Sequence, residues 1–338
     1  MKRTDRLGRM GILFGVLGFS LFLTLPAAAA EKVRFLLNWI PTAYHAGFYV
    51  AMERGLYAKE GLQITVISGR GSGAAAKGVA TGTAEVGLAD SGAVVVGRTQ
   101  GLPAKMVGTF FDRSPMVIFV LEKSGIRGPK DLMGRTLAAD VGSAPRIVFP
   151  AFARANNIPV DSVKWLTITP AAEVPTLITG RADGIPTFST VQPSFEKAAR
   201  AQGEKVRMIW YADHGLDIYG LALISSDAWI RSQPAALRAF LKASYEGIRW
   251  AMERPSEGVD LFLKSHPTQN REVSLETWRG SQSLMVTPVS KRRGLGYMDP
   301  GKVQLTRDIL SRYQGVKVPA ATKDLYTNDF LPGIFPPR

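Results

Sequence analysis

The chain has 338 residues and no cysteine. It can therefore hold neither disulfides nor thiolate metal sites, and it lacks the residue through which a lipoprotein is anchored. Its formal charge of +14 is spread out, with no long Lys/Arg block and no nucleic-acid-binding motif, which argues against a DNA or RNA partner. A dispersed basic field suits an anionic small solute or work near anionic lipid, and fits a merely basic composition equally well.

Residues 1–30 read as a secretory signal peptide outside the fold. Lys2, Arg3, Arg6 and Arg9 form a basic start, residues 10–25 an apolar run, and Pro26 with Ala27 to Ala30 a small-residue cleavage site. The apolar run is shorter than the ~20 residues a membrane span needs. Cleavage is expected after Ala30, delivering a periplasmic protein without a lipid anchor. The remaining chain is too long for one typical core and fits two lobes.

Residues 33–67 read as a β-loop-α-β unit. Val33, Phe35 and Leu37 alternate as in a strand; Asn38, Trp39, Pro41 and Thr42 break it; a helix over 44–54 is closed by Gly55. A turn at Glu60 and Gly61 leads to a strand over 62–67. A glycine-rich turn over 69–75 then enters a helix ending near Thr81, followed by a strand at 86–89, a helix at 91–99, and strands at 104–109 and 116–121. The composition shifts at 122–129, where a second α/β set begins. It comprises strands at 136–139, 163–167, 184–187 and 206–211 with helices at 147–156, 171–179 and 191–201. A strand at 220–225 resembles the run at 116–121. From Asp227 the pattern is helical, clearest at 235–253, where Leu237, Phe240, Leu241, Tyr245, Ile248 and Ala251 share one face. The terminal PGIFPPR can be neither helix nor central strand.

Alternating strands and helices predict a parallel α/β architecture. The expected division is residues 31–121 with 226–338 in the first lobe and 122–225 in the second, with crossovers near 121–123 and 225–227 acting as a hinge.

Open α/β sheets bind ligands at the carboxyl ends of their strands, and there the candidates collect. Gly71 and Ser72 in the first glycine turn, and Gly142 and Ser143 in a second one, could each present backbone N–H groups and a helix N-terminus to an anion. Neither turn is a P-loop or a dinucleotide fingerprint. Trp39, Tyr44, Phe188, Trp210 and Tyr219 fall at strand ends, and two or three of these five rings are expected to line a cleft. Asn38 and Ser91 could orient a heterocycle, alongside Asp90 and Asp217; Asp90 is equally well read as a helix N-cap. His45, His214 and His266 are scattered and make no metal site. Ser143 and Ser189 lack a base partner, and Glu60, Glu173 and Asp183 read as solvated. No catalytic set and no cofactor are expected.

The segment LLNWIPTAYHAGFYVAMERGLYAKEGLQITV (36–66) resembles the opening of the pyrimidine-precursor group of solute-binding proteins. That group includes periplasmic components of ABC importers and the fungal synthases of the thiamine pyrimidine. The phrases ATGTAEVGLAD (80–90), GIRGPKDLMGRTLA (125–138) and LYTNDFL (325–331) are similar as well, so the resemblance spans the chain beyond residue 30. It implies a two-lobed, Venus-flytrap fold of the type II periplasmic binding proteins, with a ligand cleft between lobes. It also implies capture of a small heterocyclic solute for a permease and ATPase, by a protein acting as a monomer. Asn38, Trp39, Tyr44 and His45 would then lie near the ligand. The grammar is shared with nitrate, sulfonate and riboflavin binders, so those solutes and aromatic acids stay open, as does a sensor role. The fungal synthases consume a histidine of this segment, which would make His45 reactive. They also carry a cysteine-rich motif, and this chain has no cysteine.

Overall fold

The computed structural model describes residues 30–315, 317 and 321–337; residues 1–29 of the expected signal peptide lie outside them. Strand β1 (Glu31–Leu36) buries Val33 and Phe35 and exposes Lys32 and Arg34, the period-2 alternation of a strand with one face on a core. A single 3₁₀ turn (Ala43–His45) follows, then α1 (Ala46–Glu53), α2 (Leu56–Lys59) and β2 (Leu62–Ile67), which pairs parallel with β1 from Glu31 opposite Leu62 to Leu36 opposite Ile67. The first set continues with α3 (Ser72–Ala80), β3 (Val86–Asp90), α4 (Ser91–Thr99) and β4 (Ala104–Thr109). The second runs through β5 (Met116–Leu121), β6 (Thr136–Ala139), α5 (Ala144–Ala155), β7 (Lys164–Thr167), α6 (Glu173–Ile178), β8 (Gly184–Phe188), α7 (Gln192–Arg200) and β9 (Val206–Trp210). After β10 (Leu221–Ser226) come α8 (Asp227–Ser232), α9 (Pro234–Glu253), α10 (Pro255–Ser265), α11 (Arg271–Met285), α12 (Pro288–Arg293) and α13 (Pro300–Tyr313).

The strands form two five-stranded sheets, ordered β2-β1-β3-β10-β4 and β7-β6-β8-β5-β9. Each has four strands running the same way and one antiparallel strand in fourth place, β10 in the first sheet and β5 in the second. Those two are the strands that have just crossed between lobes, and their placement corrects the expected boundaries. β5 hydrogen-bonds to β8 and β9, not to the first sheet, and β10 sits between β3 and β4. The crossovers are thus residues 110–115 and 211–220, earlier than expected at both ends. The physical reason is that β5, fully buried along its length, reads as a core strand of either lobe; an apolar run does not say which sheet will take its hydrogen bonds. The two crossovers are laced together, with the amides of Phe110 and Phe111 donating to the Leu221 carbonyl (2.7 and 2.9 Å) and that of Gly220 to the Phe111 carbonyl (3.1 Å).

The C-terminal helices clamp the first lobe. α9 crosses α1 at backbone contact: a Cβ on Gly247 would lie 2.4 Å from the Gly47 carbonyl oxygen, so the approach requires glycine there. The Trp278 indole N–H on α11 donates to the Ala251 carbonyl of α9 at 2.9 Å. This packing holds α1, and hence the turn before it, rigidly at the mouth of the cleft. No helix among the described residues is long and apolar enough to cross a membrane.

Candidate functional site

At the end of β1 the chain breaks where Asn38, Trp39 and Pro41 leave the sheet, and Asn38, Tyr44 and His45 close into one buried network. His45 Nδ1 lies 3.2 Å from both the amide and the carbonyl of Thr42, and the tautomer is set by the other nitrogen. Nε2 faces an amide oxygen, which can only accept, so the ring proton sits on Nε2 and Nδ1 accepts from the Thr42 amide. Nε2 then donates to Asn38 Oδ1 at 3.1 Å, and Asn38 Nδ2 donates to the Tyr44 hydroxyl oxygen at 3.0 Å. Burial lowers the His45 pKa to about 3, because charging an imidazole away from water costs more than its Thr42 contact returns. The histidine is a fixed neutral strut. It leaves Asn38 with one Nδ2 hydrogen to spend.

Asn38, Trp39 and Tyr44 line a pocket with Gly71 and Ser72 from the first lobe, and Ser143, Ala144, Pro145, Thr187, Phe188 and Val191 from the second. It encloses about 320 Å³ of empty space, part of it open to solvent. The shape is a narrow slot between facing walls. Aromatic surface comes from both lobes, and none of the eleven lining residues carries a positive charge.

The two glycine turns do face one another across the lobes, and they are in direct contact. The Gly73 amide donates to the Gly142 carbonyl at 3.0 Å. Gly71, at φ +136°, lies so close that a Cβ on it would stand 2.2 Å from that same oxygen. The N–H engaged by the opposite lobe is that of Gly73, whereas those of Gly71 and Ser72 have no partner among the described residues, and Gly142 is part of this latch and not of the pocket wall. Arg70 approaches Asp140 across the same seam at 3.8 Å.

Three other expectations need correction. His45 stands behind Asn38 and does not line the pocket. The Ser91 hydroxyl donates to the Tyr219 carbonyl at 2.5 Å. The Tyr219 hydroxyl accepts from the Asp299 amide at 2.7 Å, and its ring lies under Lys302 Nζ at 5.2 Å. Ser91 and Tyr219 therefore serve the crossover. Their side chains sit at strand ends, as expected, but the chain around them folds them inward against α13. Trp210 also lies outside the pocket, and Asp90 caps α4, accepting from the Gly92 amide at 2.8 Å.

Glu173 was read as solvated and is instead 4% exposed. Its Oε2 accepts from the Thr187 hydroxyl at 3.0 Å, and desolvation pushes its pKa up to about 8. A glutamate in the first turn of a helix is ordinarily wet, and only the apolar company of Pro170, Ala171, Ala172 and Val174 hinted otherwise. Thr187, Pro145 and Val191 were missed too, since nothing in their local sequence distinguishes a wall residue from a core one.

The architecture and site can be set against known proteins. A family model described as "NMT1/THI5 like" matches residues 42–258, well over half of the chain. The chain belongs to the NMT1/THI5-like family. Riboflavin-binding protein RibY of Chloroflexus aurantiacus is 26% identical over 90% of this chain and 87% of its own length. The formylaminopyrimidine-binding protein of Halalkalibacterium halodurans is 24% identical over 89% and 91%. Proteins named as 4-amino-5-hydroxymethyl-2-methylpyrimidine phosphate synthases also align. Among solved structures, the alkanesulfonate-binding protein SsuA of Xanthomonas axonopodis pv. citri superposes with a TM-score of 0.69 at 13% identity, covering 89% of this chain and all of that one. At that identity the likeness speaks for the fold alone, and the fold is that of the periplasmic binding proteins.

Proposed function

We propose that this NMT1/THI5-like protein is the substrate-binding component of an ABC importer, closing its lobes on a flat, uncharged heterocycle of the aminopyrimidine or flavin kind. The observation that carries the reading is the slot itself: it is shared by both lobes, walled by Trp39, Tyr44 and Phe188, and furnished with a pre-oriented Asn38. Stacking on rigid rings supplies affinity at low entropic cost, and a few fixed polar groups supply orientation. Sulfonate and nitrate fit less well, because a buried anion needs cations or free N–H groups. This wall has no cation to neutralise such an anion, and of the N–H groups in the first glycine turn that of Gly73 is already engaged, leaving those of Gly71 and Ser72. Relatives named as riboflavin and formylaminopyrimidine binders support the ring reading.

The protein is read as a binder and not as an enzyme. Synthesis at the expense of His45 would require an imidazole that is fully buried, held at both nitrogens and screened from the slot by Asn38 to reach a reaction partner. Under the transport reading residues 1–30 export the chain, and it works as a monomer in the periplasm, passing solute to a permease and its ATPase.

Titration calorimetry with a hydroxymethyl-aminopyrimidine, riboflavin, an alkanesulfonate and nitrate tests this. A ring compound is expected to bind, and Trp39→Ala to weaken it by ~1–3 kcal/mol if the indole stacks on it. Tightest binding of the sulfonate or nitrate, or no binding by any of the four, would overturn the proposal.

A further inference from the structure

The buried acid at residue 173 has no ion-pair partner among the described residues, yet it lies directly behind the pocket wall. Its one hydrogen bond within the protein is from Thr187, itself a wall residue. The second carboxyl oxygen, Oε1, is buried and meets no hydrogen-bonding group among the described residues. From the opposite lobe its charge is felt by the Tyr44 hydroxyl, and in its own lobe Asp140 bears on it. A buried carboxyl with an idle oxygen costs stability, so its presence at this wall calls for a function.

Consider what it does to Thr187. A hydroxyl has one hydrogen and two lone pairs. With the hydrogen committed to Glu173, Thr187 can show the slot only a lone pair. Across the slot the situation is reversed. Asn38 Oδ1 is occupied by His45 and one Nδ2 hydrogen by Tyr44, so what Asn38 has left to offer is an N–H. The two walls are therefore polarised, donor in the first lobe and acceptor in the second.

We propose that Glu173 is a positioning residue for ligand specificity: by taking the Thr187 hydroxyl hydrogen it makes the second-lobe wall an acceptor, so that the slot selects rings with an N–H or amino donor on one edge and an acceptor on the other. An aminopyrimidine has such edges in its exocyclic amine and ring nitrogens, as has the N3–H and carbonyl edge of a flavin. An anion or an acceptor-only ring would set lone pair against lone pair at Thr187. Burial raises the Glu173 pKa to about 8, so the polarity of the wall requires the carboxyl proton to sit on the idle Oε1, leaving Oε2 as the acceptor for the Thr187 hydroxyl. The inference rests on the heterocycle reading above and narrows it to donor-bearing rings.

The test compares 4-amino-5-hydroxymethyl-2-methylpyrimidine with its 4-methoxy counterpart, which has the same ring and side chains but an acceptor in place of the amine donor. Wild-type protein is expected to prefer the amine by about tenfold or more, the scale on which a site built for a hydrogen bond rejects the analogue lacking it. In Glu173→Leu and Thr187→Val the preference should fall to within about threefold. A buried acid replaced by a similar-sized apolar group leaves the fold intact. Thr187→Ser, which keeps the hydroxyl, and Glu173→Gln, which keeps an acceptor for it, should retain the preference, and a merely structural role would not produce that pattern. Equal affinity of the two rings for wild type, or a preference that survives in Glu173→Leu and Thr187→Val, overturns the inference. If neither pyrimidine binds, the pyrimidine form of the transport reading falls. Riboflavin against N3-methylriboflavin, in the same variants, then decides the role of Glu173 separately. A protein that binds none of the four overturns both.

Discussion

Single side chains at this site are set by burial more than by chemical type. His45 is neutral because it is buried and held between Thr42 and Asn38, and Glu173 holds its proton for the same reason. The consequence for stability has a definite sign. An unfolded glutamate loses its proton near 4.5, whereas in the folded protein Glu173 keeps it until about pH 8. Between those values the folded state carries a proton that the unfolded state has lost, so stability falls as pH rises from about 5 to 8. Asp112, pushed up to about 6, and Asp90, also raised by burial, act in the same direction. Glu173→Gln is therefore expected to lessen this decline without abolishing it, by a margin on the order of a few kcal/mol at pH 8. Thermal melts of both proteins across pH 5–8 check it; parallel curves would mean that residue 173 titrates normally. Little of this was legible beforehand. Asn38 and Trp39 announced themselves as polar and aromatic residues at a strand end, but Glu173 occupies a position where most glutamates are solvated.

For the elements, the informative case is the pair of glycine turns. The alternating glycines at 69, 71 and 73 were expected to cradle an anion; in the structure they bring the first turn into backbone contact with the second. Gly71→Ala should hold the lobes apart, since its Cβ would meet the Gly142 carbonyl at 2.2 Å and its φ of +136° disfavours a side chain. Gly73→Ala is the control: its Cβ would meet chiefly the tip of Ile147, at 2.6 Å, a flexible group that can move. We expect Gly71→Ala to weaken ligand binding by at least about tenfold while Gly73→Ala changes it by less than about threefold, each read by calorimetry on protein whose circular dichroism is unchanged. Equal effects would show that the seam does not control closure. The misassigned strands teach a related lesson. β5 and β10 were recognised as strands from their apolar runs, but the sheet that each joins depends on pairing with strands 60 or more positions away, as with Met116 opposite Phe188 and Leu221 opposite Asp90.

At the scale of the whole molecule, α13 is the element that bridges both lobes and both crossovers. Lys302 Nζ donates to the Asp112 carbonyl in one crossover at 2.9 Å and lies 3.5 Å from the Asp217 carboxylate in the other. From the second lobe, Arg154 on α5 donates to the carbonyls of Tyr313 and Gln314, both at 2.8 Å. A cation there meets the exposed carbonyls and negative dipole end of α13. Gln314 returns the contact by donating to the Ile147 carbonyl at 2.8 Å. Arg154→Met, which keeps most of the side-chain bulk, should shift the ligand-free population toward open lobes, enlarging the radius of gyration seen by small-angle scattering. Apparent affinity should fall by about three- to tenfold, because ligand must then supply the closing energy. An unchanged scattering curve and affinity would remove Arg154 from the closing mechanism.

The sequence by itself determined the α/β class, the two-lobe plan, the strand-end location of Asn38 and Trp39, and the exclusion of thiolate chemistry. All of these rest on local patterns such as periodicity, turn residues and composition. Which sheet receives β5 and β10, that the glycine turns grip each other, that Ser91 and Tyr219 brace a crossover, and that Glu173 lies buried behind Thr187 were decided only in three dimensions. Each depends on groups distant in the chain meeting across a lobe boundary, where burial and hydrogen-bond partners are set by the far wall and not by neighbouring residues.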